Sequence, residues 1–250
     1  LNSLQAIKYV DISFREELAG TMGCNIVVTR AKIHSVALDV EGTNSNGDLG
    51  MGMGVSYQNK NIFKGAEAFR MGVHGSYEAI GKLGDIKNSA ELGGNMAITL
   101  PIFLVPFTSN DFKRKMGGTT EFSMSYNFQQ RPEYKRNIAN AGMKYAWRYR
   151  GTRFTLDVID VNYIYLPWMT TAFKEQYLKP SSSVRYSYED HFIMRMGLGV
   201  SYSNKRNSVA SNFYTLRGNV STAGNLLYGI SSAIGQTKNA DNLYEIFNIA

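Results

Sequence analysis

No stretch of this 250-residue sequence is long and apolar enough to form a membrane-spanning helix, which needs about 18 consecutive apolar residues. The most apolar stretch, 96–107, is interrupted by Thr99, Pro101 and Pro106. One cysteine, Cys24, and three widely separated histidines give neither a disulfide nor metal-ligand spacing, so the sequence predicts no metal and no cofactor. Membrane-spanning barrels hide their hydrophobicity in alternation, so the lack of a helical span does not exclude a membrane protein.

The sequence is also poor in proline and shows no concentrated basic stripe. It has 5 prolines against 24 glycines, 16 tyrosines and 13 phenylalanines, a composition that suits many strands. The net charge of +7 comes from basic residues scattered over alternating segments and loops. Nucleic-acid binding proteins gather such charge on one face, so the pattern argues against a nucleic-acid partner.

A strict alternation of side chains dominates the segment 49–57. One set of positions is apolar and the other is small or polar, and successive side chains of a strand point to opposite faces. The apolar set is Leu49, Met51, Met53, Val55 and Tyr57; the other set is Gly50, Gly52, Gly54 and Ser56. Charged residues occupy the small or polar set in other segments, which is typical of a transmembrane β-barrel with lipid outside and a polar interior.

The alternation predicts about nine strands of about ten residues, the length that crosses a bilayer at a tilt. The predicted strands are 35–43, 49–58, 69–77, 90–100, 122–128, 141–150, 154–165, 192–202 and 214–220. A change of phase near Ile159 and Asp160 predicts a bulge. Residues 151–153 are predicted to form a tight turn, and 129–137, 166–190 and 231–242 long polar loops. A soluble β-sandwich is the structural alternative, but its strands are shorter and rarely carry charge at mid-strand.

Residues 1–34 differ from the rest of the chain. Leu1, Leu4, Ile7 and Lys8 fit the end of an amphipathic helix, and 9–16 and 25–29 predict a hairpin. A helix followed by a hairpin is the end of a small α+β module. This module is too short to hold a core by itself, so we expect more of it upstream.

The segment 41–69 resembles the first barrel hairpin of the BamA/TamA family of outer-membrane assembly proteins. The resemblance includes a turn of the Asn-x-Phe-x-Gly type, here Asn61, Phe63 and Gly65. The segments 128–134 and 165–169 are similar to the TamA-like branch of Bacteroidetes, called TamL. The resemblance covers most of the chain.

The resemblance implies an all-β, antiparallel transmembrane barrel, of which 35–250 is the N-terminal half. About nine of an expected sixteen strands are present, so we expect a partial chain whose barrel cannot close. Residues 1–34 are implied to be the C-terminal part of the last POTRA module. Arg217 and Gly218 lie in a predicted strand and do not match the family's lumenal Arg-Gly motif.

The implied location is the outer membrane of a Gram-negative cell, with the N-terminal module in the periplasm. The implied function is insertion, assembly or translocation of outer-membrane proteins by strand addition, without enzymatic chemistry. The implied partners are outer-membrane lipid, client outer-membrane proteins and a TamB-like partner that spans the periplasm. The first strand is the predicted lateral gate: Val36, Ala37, Leu38, Asp39, Val40 and Glu41.

Two alternatives remain for the function. The first is a transport pore, either a porin or a partner-secretion exporter. The second, less favoured, is an outer-membrane lipid hydrolase, for which His74 would be the best-placed base. No Gly-x-Ser-x-Gly elbow is present, however, so His74 is predicted to be a hydrogen-bonded lumenal residue.

Overall fold

The computed structural model describes residues 6–17, 21–45, 48–80, 87–105, 109, 111, 113, 116–178, 185–204 and 214–224. Nearly all of these residues are in antiparallel β-structure, which confirms the predicted all-β class. The strands are β1 Ile7–Glu17, β2 Thr21–Arg30, β3 His34–Ser45, β4 Asp48–Asn59, β5 Ala68–Ile80, β6 Lys87–Leu100, β7 Thr119–Gln130, β8 Tyr134–Tyr149, β9 Thr152–Met169, β10 His191–Ser203 and β11 Thr215–Ala223. A helix α1, Thr171–Tyr177, and a 3-10 helix, Arg185–Tyr188, lie between β9 and β10.

The strands form two sheets. β1 and β2 form a separate hairpin, and β3 to β11 form a nine-stranded sheet in which every strand pairs with its neighbours in the sequence. This meander confirms the prediction of nine consecutive strands. We call the end of the sheet where β3 begins the proximal end and the opposite end, where β8 begins, the distal end.

The prediction of a helix at 1–8 is wrong for residues 6–8, the part of it that the structure describes. Ile7 and Lys8 belong to β1, and Ile7 pairs with Arg30 of β2. The alternation of 7–14 suits a strand, and the hairpin satisfies its backbone as far as Ala6, whose carbonyl accepts a hydrogen bond from Ala31 N at 2.9 Å. Residues 1–5 of the predicted helix lie outside the described residues.

One of the predicted long loops is also wrong. Residues 129–137 belong mostly to β7 and β8, and the connection is only 131–133. Gln129 pairs with Arg136 and Gln130 with Lys135, so polar residues continue the ladder where the sequence indicates a loop. A tight turn is present next to the predicted position, at Arg150 and Gly151, which have φ angles of 47° and 83°. Thr152 and Arg153, predicted as part of the turn, begin β9. The loop predicted at 231–242 lies outside the described residues.

A bulge in β9 confirms the predicted phase change. Between Met143 and Lys144 of β8, the partners on β9 jump from Ile159 to Asp157. β10 has a register shift at the same place, because Arg195 pairs with Asp160 whereas Gly197 pairs with Asp157. The extra residue lets both aspartates point to the same face of the sheet.

Few apolar side chains are buried, and those few lie at the ends of the sheet. Only six apolar residues of the described chain are buried: Ala68, Phe103, Tyr134, Tyr145, Leu166 and Phe173. At the distal end, α1 packs on β8 and β9, with the ring centres of Phe173 and Tyr134 5.5 Å apart. Within the described part of the chain, no helix has the length and apolar character needed to cross a membrane.

Candidate functional site: a two-faced sheet and its edge strand

One face of the nine-stranded sheet is a continuous apolar surface that the described residues leave uncovered at mid-strand. Its side chains are exposed at mid-strand, with Met51 66 %, Met53 61 % and Met124 51 % exposed. Cross-strand pairing makes the surface continuous, for example Met71 with Met96 and Met96 with Met124. Large continuous apolar patches on a protein surface mark sites of interaction with other proteins or with membranes.

Small residues open a shallow recess in this apolar face. Gly94 of β6 and Ala139 and Ala141 of β8 lie on either side of β7. Larger side chains such as Met96 and Tyr163 border the depression. The recess has a volume of about 530 Å³ and almost no polar lining. Its shape and chemistry suit an acyl chain.

The opposite face is polar and carries ion pairs between strands. Arg70 Nη2 lies 2.8 Å from Glu121 Oε2, which also accepts a hydrogen bond from the Thr99 hydroxyl at 3.0 Å. Lys144 Nζ lies 3.4 Å from Asp157 Oδ1. Beyond the bulge, the Arg195 guanidinium forms an ion pair with Asp160, and its Nε donates to Oδ2 at 3.0 Å. Glu121 and Lys144 occupy paired positions of β7 and β8, so these charged residues form one row from β5 to β10.

A second polar group lies nearer the distal end. Asn127 Nδ2 donates to Glu91 Oε1 at 2.6 Å, and Arg136 Nη2 donates to Gln129 Oε1 at 2.8 Å. The buried atoms Asn127 Oδ1 and Asn162 Oδ1 have no hydrogen-bond partner among the described residues. Buried polar atoms are normally satisfied, so this face suits contact with water or with another polar element.

The two faces differ in how tightly their side chains are crowded. On the polar face, a Cβ added to Gly52 would lie 2.9 Å from Glu41 Oε1, and one added to Gly72 would lie 2.9 Å from Asn95 Oδ1. On the apolar face, the nearest atom to a Cβ added to Gly94 is 3.7 Å away. The side chains of the polar face are therefore packed more closely around Gly52 and Gly72 than those of the apolar face are around Gly94.

The six residues of the predicted lateral gate lie together on β3, which is one edge of the nine-stranded sheet. β3 pairs with β4 and, among the described residues, with no strand on its other side. Val36, Leu38 and Val40 are 66–70 % exposed on the apolar face, and Ala37, Asp39 and Glu41 lie on the polar face. A further strand could therefore form backbone hydrogen bonds with β3 and align its apolar side chains with those of Val36, Leu38 and Val40.

The Asn-x-Phe-x-Gly motif forms the connection between β4 and β5 at the proximal end. The Asn61 side chain accepts a hydrogen bond from Ala66 N at 2.8 Å, and Gly65 N donates to Glu67 Oε2 at 2.9 Å. The positive φ angles belong to Lys64 and Ala66, at 69° and 66°, and not to Gly65. A Cβ at Gly65 would collide with the Glu67 carboxylate. Phe63 is 66 % exposed at the tip.

The histidines are far apart, as their sequence positions suggest. His74 lies on the polar face with its ring over Gly93, and His34 Nδ1 is 2.9 Å from the Tyr57 hydroxyl. No group of three or more His, Cys, Asp or Glu side chains in the described residues is placed to hold a metal ion.

Sequence reasoning missed a packed aromatic segment at the proximal end. Phe103 lies against Tyr145, with ring centres 5.1 Å apart, and the Tyr145 hydroxyl donates to Leu104 O at 2.6 Å. The Thr120 hydroxyl donates to Ile102 O at 2.8 Å. The segment 101–105 therefore covers the apolar face at its proximal border. In the sequence, Pro101 within this segment and Pro106 directly after it indicate an interruption of the strand pattern, so alternation gives no signal here.

A side-chain hydrogen bond with Tyr202 raises the pKa of Tyr214, which precedes β11 at the proximal end. Trp147 and Phe154, whose rings stack 5.4 Å apart, belong to the same end. Aromatic side chains therefore cluster at the proximal end of the sheet. No family model matches the chain, and no curated protein matches it either.

Proposed function

We propose that the nine-stranded sheet is part of the wall of an outer-membrane β-barrel that inserts or assembles other outer-membrane proteins. The observation that carries the proposal is the exposed apolar face opposite a charged one, on strands of 9–18 residues. An apolar surface of this extent is costly in water and stable in lipid. The crowded polar face then becomes the lumen, and the recess at Gly94 faces acyl chains.

The strand lengths support a crossing of the bilayer. β5 has 13 residues. At about 3.3 Å per residue and a tilt of about 40°, a strand of this length spans roughly 33 Å, close to the apolar thickness of a bilayer. The aromatic residues at the proximal border fit the interfacial belt of such a protein.

The edge strand supports a role in assembly. Lipid offers no hydrogen bonds to a strand edge, so β3 within the bilayer needs a strand on its outer side, which in this proposal is either the closing strand of the barrel or a client strand. An incoming client strand forms backbone hydrogen bonds with residues 36–41 by strand addition. Its apolar side chains then extend the row of exposed apolar side chains to which Leu38 belongs. We place the protein in the BamA/TamA superfamily, in its TamA-like branch, on the motif at Asn61, Phe63 and Gly65.

In this proposal the β1–β2 hairpin is the end of a POTRA module in the periplasm. The proximal end of the barrel then faces the periplasm, because β3 follows β2 after only residues 31–33. Client outer-membrane proteins pair at β3, and a periplasm-spanning TamB-like protein approaches from the proximal end. The protein acts by non-covalent pairing and not as an enzyme.

Site-directed cross-linking tests the role of β3. The native Cys24 is exposed, so it is first replaced by serine. Cysteines are then placed at Leu38 and Asp39 of β3, and at Val73 of the central strand β5 as a control of similar exposure. We expect adducts with a client barrel strand at positions 38 and 39 and none at 73. Equal reaction at all three positions, or no adduct at β3, contradicts the assembly role.

A transport pore is the second candidate, favoured by the polar atoms of Asn127 and Asn162 that lack partners among the described residues. Ion conductance of the intact protein in a planar bilayer separates the two functions. A pore passes a steady current, whereas an assembly protein with a filled lumen does not.

A further inference from the structure

A row of arginines crosses the polar face at the proximal end. Arg148 of β8 pairs directly with Arg153 of β9, Arg153 pairs with Ser201 of β10, and Ser201 pairs with Arg217 of β11. Arg150 lies in the turn next to them, with its guanidinium carbon 5.2 Å from the centre of the Tyr149 ring. We call Arg148, Arg153 and Arg217 the arginine row.

Alternation places all three members of the row on the polar face. Arg148 lies four residues beyond Lys144, and Arg153 four residues before Asp157, which form an ion pair with each other on that face. Arg217 is two residues from Asn219, and Asn219 and Thr155 both approach the polar side of Gly199. The arginine row therefore lies on the face opposite the apolar face, which carries Trp147.

The arginine row carries uncompensated positive charge, unlike the basic residues Arg70, Lys144 and Arg195 of the polar face. Arg70, Lys144 and Arg195 each have an acidic partner within 4.0 Å. Among the described residues, no ion pair involves Arg148, Arg153 or Arg217, and all three are exposed. Like charges placed opposite each other across strands destabilise a sheet, and an anionic ligand removes that cost.

We propose that the arginine row binds an acidic segment of a polypeptide partner. Neighbouring strands lie about 4.8 Å apart, so Arg148 and Arg153 are about 5 Å apart at the backbone and Arg217 lies about 10 Å farther. An extended peptide with acidic residues at alternate positions presents a carboxylate about every 7 Å, which the long guanidinium side chains can match with paired hydrogen bonds. A lipid headgroup fits less well, because its acyl chains lie on the other face of the sheet.

This surface goes beyond the proposed function, because it lies on β8, β9 and β11, away from the edge strand β3. Its partner approaches from the proximal end of the sheet, where the connection 60–67 and the β1–β2 hairpin also lie. It binds charge through side chains, whereas β3 pairs through its backbone.

Peptide binding to the intact protein in neutral detergent tests the inference. The probe is a fluorescein-labelled peptide of ten glutamates, with a ten-glutamine peptide as the neutral control. The test variant combines Arg148→Gln, Arg153→Gln and Arg217→Gln. A matched variant, Lys8→Gln with Lys64→Gln and Lys174→Gln, removes the same charge from exposed sites elsewhere. Circular dichroism checks that both variants keep their strand content.

We expect the glutamate peptide to bind, the glutamine peptide not to bind, and the arginine variant to weaken binding by about tenfold or more. The matched lysine variant should change the affinity less than about twofold. Equal weakening by both variants overturns the inference, because general charge would then explain binding. Loss of binding to phosphatidylglycerol vesicles in the arginine variant, with peptide binding unchanged, also overturns it in favour of a lipid headgroup. Cross-linking at Leu38 is read separately, so failure of one proposal is distinguishable from failure of the other.

Discussion

A pair of adjacent arginine substitutions on β5 tests which face of the sheet contacts lipid. Val73 lies on the apolar face and is 51 % exposed, and His74 lies next to it on the polar face. Val73 is the sixth of 13 residues of β5. At about 3.3 Å per residue and a tilt of about 40°, it lies roughly 13 Å from the proximal end of the strand, near the bilayer midplane.

The two substitutions therefore have different expected costs. Arginine facing lipid near the midplane costs about 2–4 kcal/mol, so Val73→Arg should lower the folding equilibrium constant by roughly 30- to 700-fold. His74→Arg exchanges one polar side chain for another in a polar lumen and should cost less than about 0.5 kcal/mol. If the apolar face contacted water, Val73 would be an exposed surface residue, and its replacement would cost equally little.

The assay is reversible unfolding of the intact protein in lipid vesicles by guanidinium chloride, followed by the fluorescence of Trp147 and Trp168. The free energy of unfolding is compared between the two variants and the parent protein. A difference between Val73→Arg and His74→Arg smaller than about 0.5 kcal/mol would refute the assignment of the apolar face to lipid.

Three further substitutions test the packing at the proximal end and on the polar face. Gly118→Ala places a Cβ 2.7 Å from the Phe103 ring and should lower the free energy of unfolding by about 1–3 kcal/mol. Thermal denaturation measures this loss. Gly218→Ala is the control, because its added Cβ meets no atom within 4 Å. Thr120→Val removes a fully buried hydroxyl that is hydrogen-bonded to the segment 101–105. It should lower the free energy of unfolding by about 1–3 kcal/mol and make that segment more susceptible to proteolysis. An unchanged rate of proteolytic cleavage would contradict this prediction. Arg70→Met breaks an ion pair whose arginine is 46 % exposed, so it should cost less than about 1 kcal/mol, and this cost should fall with added salt; a cost that is insensitive to salt argues against a solvated pair.

The strands of the large sheet are predictable because alternation is a local signal. Met51 and Met53 alternate with glycines, and the same pattern places β4 within a residue or two of its observed ends. Even the bulge is visible, since Asp157 and Asp160 break a period of two. The pattern fails where both faces carry polar residues, as at Gln129 and Lys135, because a polar strand then looks like a loop.

The site is less predictable, because it depends on register between distant segments. The gate residues around Leu38 form one continuous strand, so the sequence places them together directly. Arg153 and Arg217 lie in the same row, on either side of Ser201, only through the pairing of β9, β10 and β11. The bulge shifts the register between β9 and β10 by a residue. The conformation of the turn at 60–67 is also not predictable from the sequence, because its positive φ angles fall on Lys64 and Ala66 rather than on glycine.

The bulge in β9 has a mechanical consequence for the sheet. From β3 to β8, the strands pair in unbroken one-to-one register, so a slide of two residues between neighbours keeps each side chain on its own face. A slide along β9 would move the extra residue away from its matching partners and turn Asp157 or Asp160 toward the apolar face. The register therefore opposes sliding more strongly between β8 and β10 than among the strands from β3 to β8.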